Sequence, residues 1–232
     1  MRDYVFPPII LPLFLILIIL PFFVLILVFA GSAVFRLVFG VDSEKALILL
    51  AMIVFGSLIN IPLYERGGIE LIQHYEIFGF IYTVRSKRKL IVAINVGGCL
   101  LPVILATKLV SDVLDFIPVT IFLVALIFSS LIIYGFSKPV VGVGIVVPMF
   151  VPPTIAAIVS YIAIALCEGP IMLLPKLSFC IGVLSALIGA DIMHLRDLER
   201  IGYGVVSVGG AGTFDGIFLT GIFAVLFSVL LI

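Results

Sequence analysis

The 232-residue chain has no tryptophan, only three cysteines and two histidines, and only 11% charged residues. Soluble domains carry about 25% charge. A chain this poor in charge and 64% hydrophobic cannot hide its apolar surface in one water-soluble core, and a lipid bilayer is the solvent that suits it. The formal net charge of zero removes any bulk electrostatic case for nucleic acid. Cys99, Cys167 and Cys180 are scattered and form no CxxC pair, so they read as small buried hydrophobes. With the cysteines scattered and the histidines so few, neither a disulfide framework nor a bound transition metal is expected, and no cofactor is implied. Any aromatic belt at the membrane surfaces has to use Tyr and Phe.

What the chain has is long uncharged runs. Tyr4 to Phe35 carries no charge over 32 residues, far beyond the roughly 7–15 apolar residues of a secretory signal, so it reads as a retained spanning helix. Runs of spanning length predict seven transmembrane helices, at about 8–30, 46–63, 91–110, 117–134, 149–167, 177–195 and 214–232. The expected fold is therefore all-α: a polytopic helical membrane protein, residues 1–232 as one integral membrane domain. Seven spans place the termini on opposite sides. One side then holds Arg2, Arg66, Arg85, Lys87, Arg88, Lys89, Lys138, Arg196 and Arg200, and the other holds Arg36, Lys45, Lys108 and Lys176. The positive-inside rule puts the first side, with the N-terminus, in the cytoplasm, and the expected location is the cell membrane. The largest soluble piece, 64–90, is a cytoplasmic insertion that reads as a small hairpin or an interfacial helix.

Three glycine-rich stretches precede or open predicted helices on that same side: "NVGGCLLP" (Asn95–Pro102), "PVVGVGIVVP" (Pro139–Pro148) and "SVGGAGTFDG" (Ser207–Gly216). A helix N-terminus exposes unpaired N–H groups and about half a positive charge, and glycine lets backbone approach a ligand closely. Asn95, Gly97, Gly98, Gly142, Gly144, Gly209, Gly210, Gly212 and Thr213 are thus candidate substrate- or ion-binding residues. The competing reading is that these glycines only permit close helix packing. None of the stretches has the spacing of a dinucleotide or nucleotide loop.

Two aspartates flank the last cytoplasmic turn: Asp191 in "LIGADIMHL" and Asp215 at the start of the seventh span. A carboxyl at membrane depth raises a functional reading. Two that lie close share a proton, which suits water activation by a general acid and base. Asp215 also reads as a helix cap and Asp191 as a headgroup-zone residue. His194, three residues after Asp191, lies on the same helical face.

These motifs, together with "IGAD" and "VSVGGAGTFDGIFLTGI", make the chain from about Ile61 to Ile232 resemble an uncharacterised family of bacterial and archaeal multi-pass membrane proteins, domain of unknown function 1614. The resemblance implies a helical membrane protein and no assigned activity. The acidic pair is also similar to that of GxGD-type intramembrane aspartyl proteases such as presenilin and prepilin peptidases. Those use one aspartate on each of two helices, the second after a Gly-x-Gly turn. Here Thr213 and Phe214 separate Gly210-Ala211-Gly212 from Asp215, no Tyr-Asp pair stands at Asp191, and no Pro-Ala-Leu motif is present. Only Asp191 and Asp215 carry over, as catalytic residues.

Three functions follow. The first is an intramembrane aspartyl hydrolase acting on a membrane-embedded peptide. The second is a small proton- or cation-coupled carrier or channel using the same residues. The third is a non-catalytic scaffold that docks a partner on 64–90. The bilayer is the expected partner in each, and an oligomer is compatible with all three.

Overall fold

The structure is a computed structural model that describes residues 10–67, 70–77, 80–87, 89–141, 144–197, 204–210 and 216–232. The chain divides into two compact units, Met1–Leu50 and Ala51–Ile232. In the first, helix α1 (Ile10–Phe39) meets the start of α2 (Ser43–Gly56). Val34, Phe35, Val38, Ala46 and Leu50 are buried there, and a Cβ added to Gly31 would stand 3.1 Å from Leu50 Cδ1.

The second unit joins a helix bundle to a small sheet. Its helices are α3 (Leu101–Leu114), α4 (Val119–Phe136), α5 (Val151–Leu166), α6 (Leu174–Ala186) and α7 (Gly216–Val229). Prolines occupy the first turns of α3, α5 and α6, where the missing N–H costs nothing and φ is already helical. Pro152 and Pro153, inside the predicted span 149–167, thus mark the start of α5. Helix α6 packs against α3, α4, α5 and α7, and almost every residue along it is buried, as expected of a helix apolar all round. The outer faces of α4 and α5 keep Val124, Phe128 and Ile162 exposed.

Among the described residues, three helical stretches are long and apolar enough to cross a membrane: Val96–Leu114, Val119–Phe136 and Ile171–Asp197. Val28–Phe39, Val151–Leu166 and Gly216–Val229 are shorter apolar helices.

The chain is mostly helical, but not all-α as expected. Strands β1 (Asn60–Arg66), β4 (Leu90–Asn95) and β7 (Gly204–Val208) form a sheet in the order β1-β4-β7. Strand β1 pairs antiparallel with β4, Asn60 opposite Asn95. Strand β7 pairs parallel with β4, Ile94 opposite Val208. Two expected spans are corrected. The one at 46–63 is helical only to Gly56 and then enters β1, and the one at 91–110 begins as β4. "LIVAIN" is a short, β-branched apolar run, which periodicity alone cannot separate from a buried helix. Within 64–90 the hairpin alternative is what forms: β2 (Glu70–Ile77) pairs with β3 (Phe80–Lys87). A second, short hairpin joins β5 (Lys138–Val140) to β6 (Gly144–Val146).

Candidate functional site

A Val-Gly-Gly stands at the end of each of the parallel strands β4 and β7: Val96–Gly98 follows β4, and Val208–Gly210 closes β7. After β4 the chain makes a π-helical turn, Val96–Leu100, and continues as α3. After β7, Gly209 and Gly210 take φ of +90° and +92°, a region other residues rarely adopt. The two motifs, alike in sequence, are used differently.

At the β4 end, Asn95 is fully buried and every polar atom of its side chain is occupied. Its Oδ1 accepts from the Gly98 N–H at 2.6 Å, and its Nδ2 donates to the Ser57 carbonyl at 2.7 Å and to Asn60 Oδ1 at 3.1 Å. Asn60 Oδ1 also accepts from Ser207 Oγ at 2.6 Å. One amide therefore ties the end of α2, the starts of β1 and of the π-helical turn, and, through Asn60, β7. Gly97 is there for contact: a Cβ on it would stand 1.9 Å from the Ile53 carbonyl oxygen and 2.2 Å from the Ser57 nitrogen. At this cluster the close-packing role of glycine accounts for what is seen.

At the β7 end the arrangement is different. Helix α6 loosens into a π-helical turn, Leu187–Asp191, and then a 3-10 stretch, Ile192–Asp197. The partly buried Asp191 accepts a hydrogen bond on Oδ2 from the Gly209 N–H at 3.2 Å. It lines a cavity of about 430 Å³ enclosed by β6, β7, the end of α6 and the first turns of α5 and α7. Gly144, Gly210, Ser207, Gly216 and Thr220 supply its small and polar positions, and Val146, Pro148, Met149, Val206 and Ile217 much of its apolar wall. Asp191 is the one ionisable side chain among the described lining residues. Thr220 Oγ1 donates to the Gly216 carbonyl at 2.6 Å, so that hydroxyl proton is already engaged.

The structure thus brings Asp191, Gly144, Gly209 and Gly210 together, whereas Asn95, Gly97 and Gly98 are not part of the cavity wall. Gly142, Gly212, Thr213 and Asp215 lie outside the described residues. His194 is turned to other partners. Its Nδ1 lies 3.2 Å from the Gly189 carbonyl oxygen, which can only accept, so Nδ1 carries the proton, and its ring meets that of Tyr134 at 4.5 Å. Asn60, Ser57 and Ser207 were not singled out by the sequence, since an isolated Ser or Asn in an apolar run carries no signal of its partner.

A partly buried carboxylate, positive-φ glycines and interrupted helices at one end of an apolar bundle define a class: a mostly helical protein with membrane-length helices and a polar notch beside its sheet. The family model described as Protein of unknown function (DUF1614) matches residues 54–227, 174 of 232 residues, and the chain belongs to that family. No curated protein and no solved structure matches it.

Proposed function

We propose that this chain is a multi-pass protein of the cell membrane, a single integral domain with seven spans and a cytoplasmic N-terminus, and that it is a small proton- or cation-coupled carrier whose coupling group is Asp191. One observation carries the reading: among the described residues, Asp191 is the one ionisable side chain lining the cavity and is held by a single backbone N–H. A charge among apolar walls calls for a positive partner. Helices interrupted at membrane depth are tolerated where they line a cavity, and they build the ion sites of carriers.

The hydrolase reading is kept for a specific reason. Gly216, the residue after Asp215 in sequence, lines the same cavity as Asp191. If both carboxyls meet there, the pair has the chemistry to activate water against a peptide bond, one taking a proton and the other giving one.

Wild type, Asp191→Asn and Asp215→Asn in proteoliposomes separate the two. Proton flux is read by an enclosed pH dye, sodium flux by a sodium dye, and hydrolysis by cleavage of a labelled transmembrane peptide. A carrier loses flux in Asp191→Asn and cleaves nothing. A hydrolase loses cleavage in both variants. Wild-type behaviour of Asp191→Asn in every assay ends both readings.

A further inference from the structure

Four serines in the second unit break a habit of this chain. Most buried or helical hydroxyls donate to a carbonyl three or four residues back: Ser130 to Leu126, Ser137 to Ile133, Thr220 to Gly216 and Ser228 to Val225. Such bonds are the ordinary refuge of a hydroxyl in an apolar helix. Ser129, Ser160, Ser178 and Ser185 are each fully buried, and none of their Oγ atoms has a hydrogen-bond partner among the described residues. Buried hydroxyls without partners are rare and call for an explanation.

Their placement gives one. Ser129 is on α4, Ser160 on α5, and Ser178 and Ser185 on α6, three helices packed on one another. On α6 the spacing of 178, 182 and 185 puts Ser178, Gly182 and Ser185 on one face, and Gly189 lies in the π-helical turn that follows. Contacts fix what that face meets. A Cβ on Gly182 would stand 3.1 Å from the Ala224 Cβ and 3.3 Å from the Thr220 carbonyl of α7 and 3.5 Å from the Ala156 Cβ of α5, and one on Gly189 would meet the Ser130 carbonyl of α4. Ser160 follows Ala156 by one turn, and Ser129 precedes Ser130. The unpartnered hydroxyls thus all belong to the three helices α4, α5 and α6, which pack on one another, with α7 beside them at Gly182. At one end, Ser185 precedes Ala186, which lines the Asp191 cavity. At the other, two residues beyond Ser178, Lys176 Nζ pairs with Asp112 Oδ2 at 2.8 Å, partly exposed. From Lys176 to Ala186 the α-helix rises about 15 Å, about half of the roughly 30 Å of a bilayer's apolar core, and the π-helical turn carries the chain on to Asp191.

We propose that the α4–α5–α6 seam is a water path for protons between the Lys176 end of α6 and the Asp191 cavity, closed in this conformation, with the hydroxyls of Ser129, Ser160, Ser178 and Ser185 as its polar lining. It rests on the carrier reading for its purpose, and it names the route by which the coupling proton reaches Asp191. When the helices part enough to admit water, each hydroxyl gains the partner it lacks here.

The test asks whether water reaches the seam. In proteoliposomes, with Cys99, Cys167 and Cys180 replaced by alanine, Ser129→Cys, Ser160→Cys, Ser178→Cys and Ser185→Cys are exposed to a charged methanethiosulfonate, which reacts with thiols in contact with water. At least two of the four label tenfold or more faster than Val124→Cys on the exposed face of α4. Hydroxyl-radical footprinting of the unsubstituted chain marks the α5 and α6 peptides around Ser160 and Ser178, with no substitution to disturb packing. Four thiols no faster than Val124→Cys, together with unmarked peptides, overturn the path. The quadruple alanine variant lowers proton flux at least tenfold with an unchanged or raised Tm, whereas wild-type flux in that variant reduces the serines to packing. A wild type with no proton flux removes the carrier reading, and labelling still decides the path.

Discussion

The Gly209 amide donates to the Asp191 carboxylate across 3.2 Å, fastening the end of β7 to the end of α6, 18 residues away in sequence. That bond gives Asp191 an anchoring task besides any chemical one, and substitutions separate the two. Asn at 191 keeps an oxygen acceptor for the amide; Ala does not. Asp191→Asn is expected to hold Tm within about 2 °C and to keep 204–210 resistant to limited proteolysis while losing coupled flux. Asp191→Ala is expected to lose both, since an orphaned N–H costs about 1–3 kcal/mol. Equal protease sensitivity in the two variants would remove the anchor.

The Gly97 contact predicts a steep stability difference between glycines. Gly97→Ala forces its methyl group into the backbone of α2, which cannot step aside, and is expected to cost at least 3 kcal/mol, above the usual 1–3 kcal/mol of overpacking. Gly189→Ala, against the Ser130 carbonyl, follows the same logic. Gly216→Ala meets nothing within 4 Å among the described residues and is expected within about 0.5 kcal/mol of wild type, the range of substitutions that touch no packed feature. Denaturant unfolding in a fixed detergent ranks the three.

Asn95 predicts an inversion of chemical conservatism. Asn95→Asp keeps the acceptor for the Gly98 N–H but turns a bare oxygen on the Ser57 carbonyl and on Asn60 Oδ1. Asn95→Ala merely leaves them unpaired. The aspartate is expected to be the more destabilising at neutral pH, by 1 kcal/mol or more, because a buried charge facing acceptors outweighs a missing hydrogen bond. Thermal unfolding of both variants, side by side, checks the order.

The parallel pairing of β4 with β7 is open to cross-linking. In a background without the three native cysteines, Val92→Cys with Val206→Cys, opposite each other in register, should form a disulfide on mild oxidation. Val92→Cys with Val205→Cys should not, because successive strand residues face opposite sides. A gel shift under non-reducing conditions reads the result.

Several elements were visible in the sequence. The predicted spans 117–134 and 149–167 fall on Val119–Phe136 and Val151–Leu166, because prolines and charges punctuate those runs. The sheet was not visible. "LIVAIN" and "GVVSV" are each too short and too uniformly apolar to choose between strand and helix, and what makes them strands is their partners: β1, a few dozen residues away, for the first, and each other, more than a hundred residues apart. The Val-Gly-Gly repeat was legible as a pattern, but its two uses were not. Gly97 serves a backbone crossing set by α2, and Gly209 serves a carboxylate, and nothing within either motif encodes which. The unpartnered serines were equally silent, since a serine's lack of a partner exists only once the helices are packed.

The order β1-β4-β7 also bears on biosynthesis. A ribosome delivers β1 and β4 within a few dozen residues of each other, but β7 emerges only after α3, α4, α5 and α6 have been made. Until then the far side of β4 is an open edge, the kind of edge that invites mispairing. The strand that closes it also carries the amide that grips Asp191, so the nascent protein acquires its finished sheet and its fastened carboxylate in the same late step, and a chain released before Gly204 would hold neither.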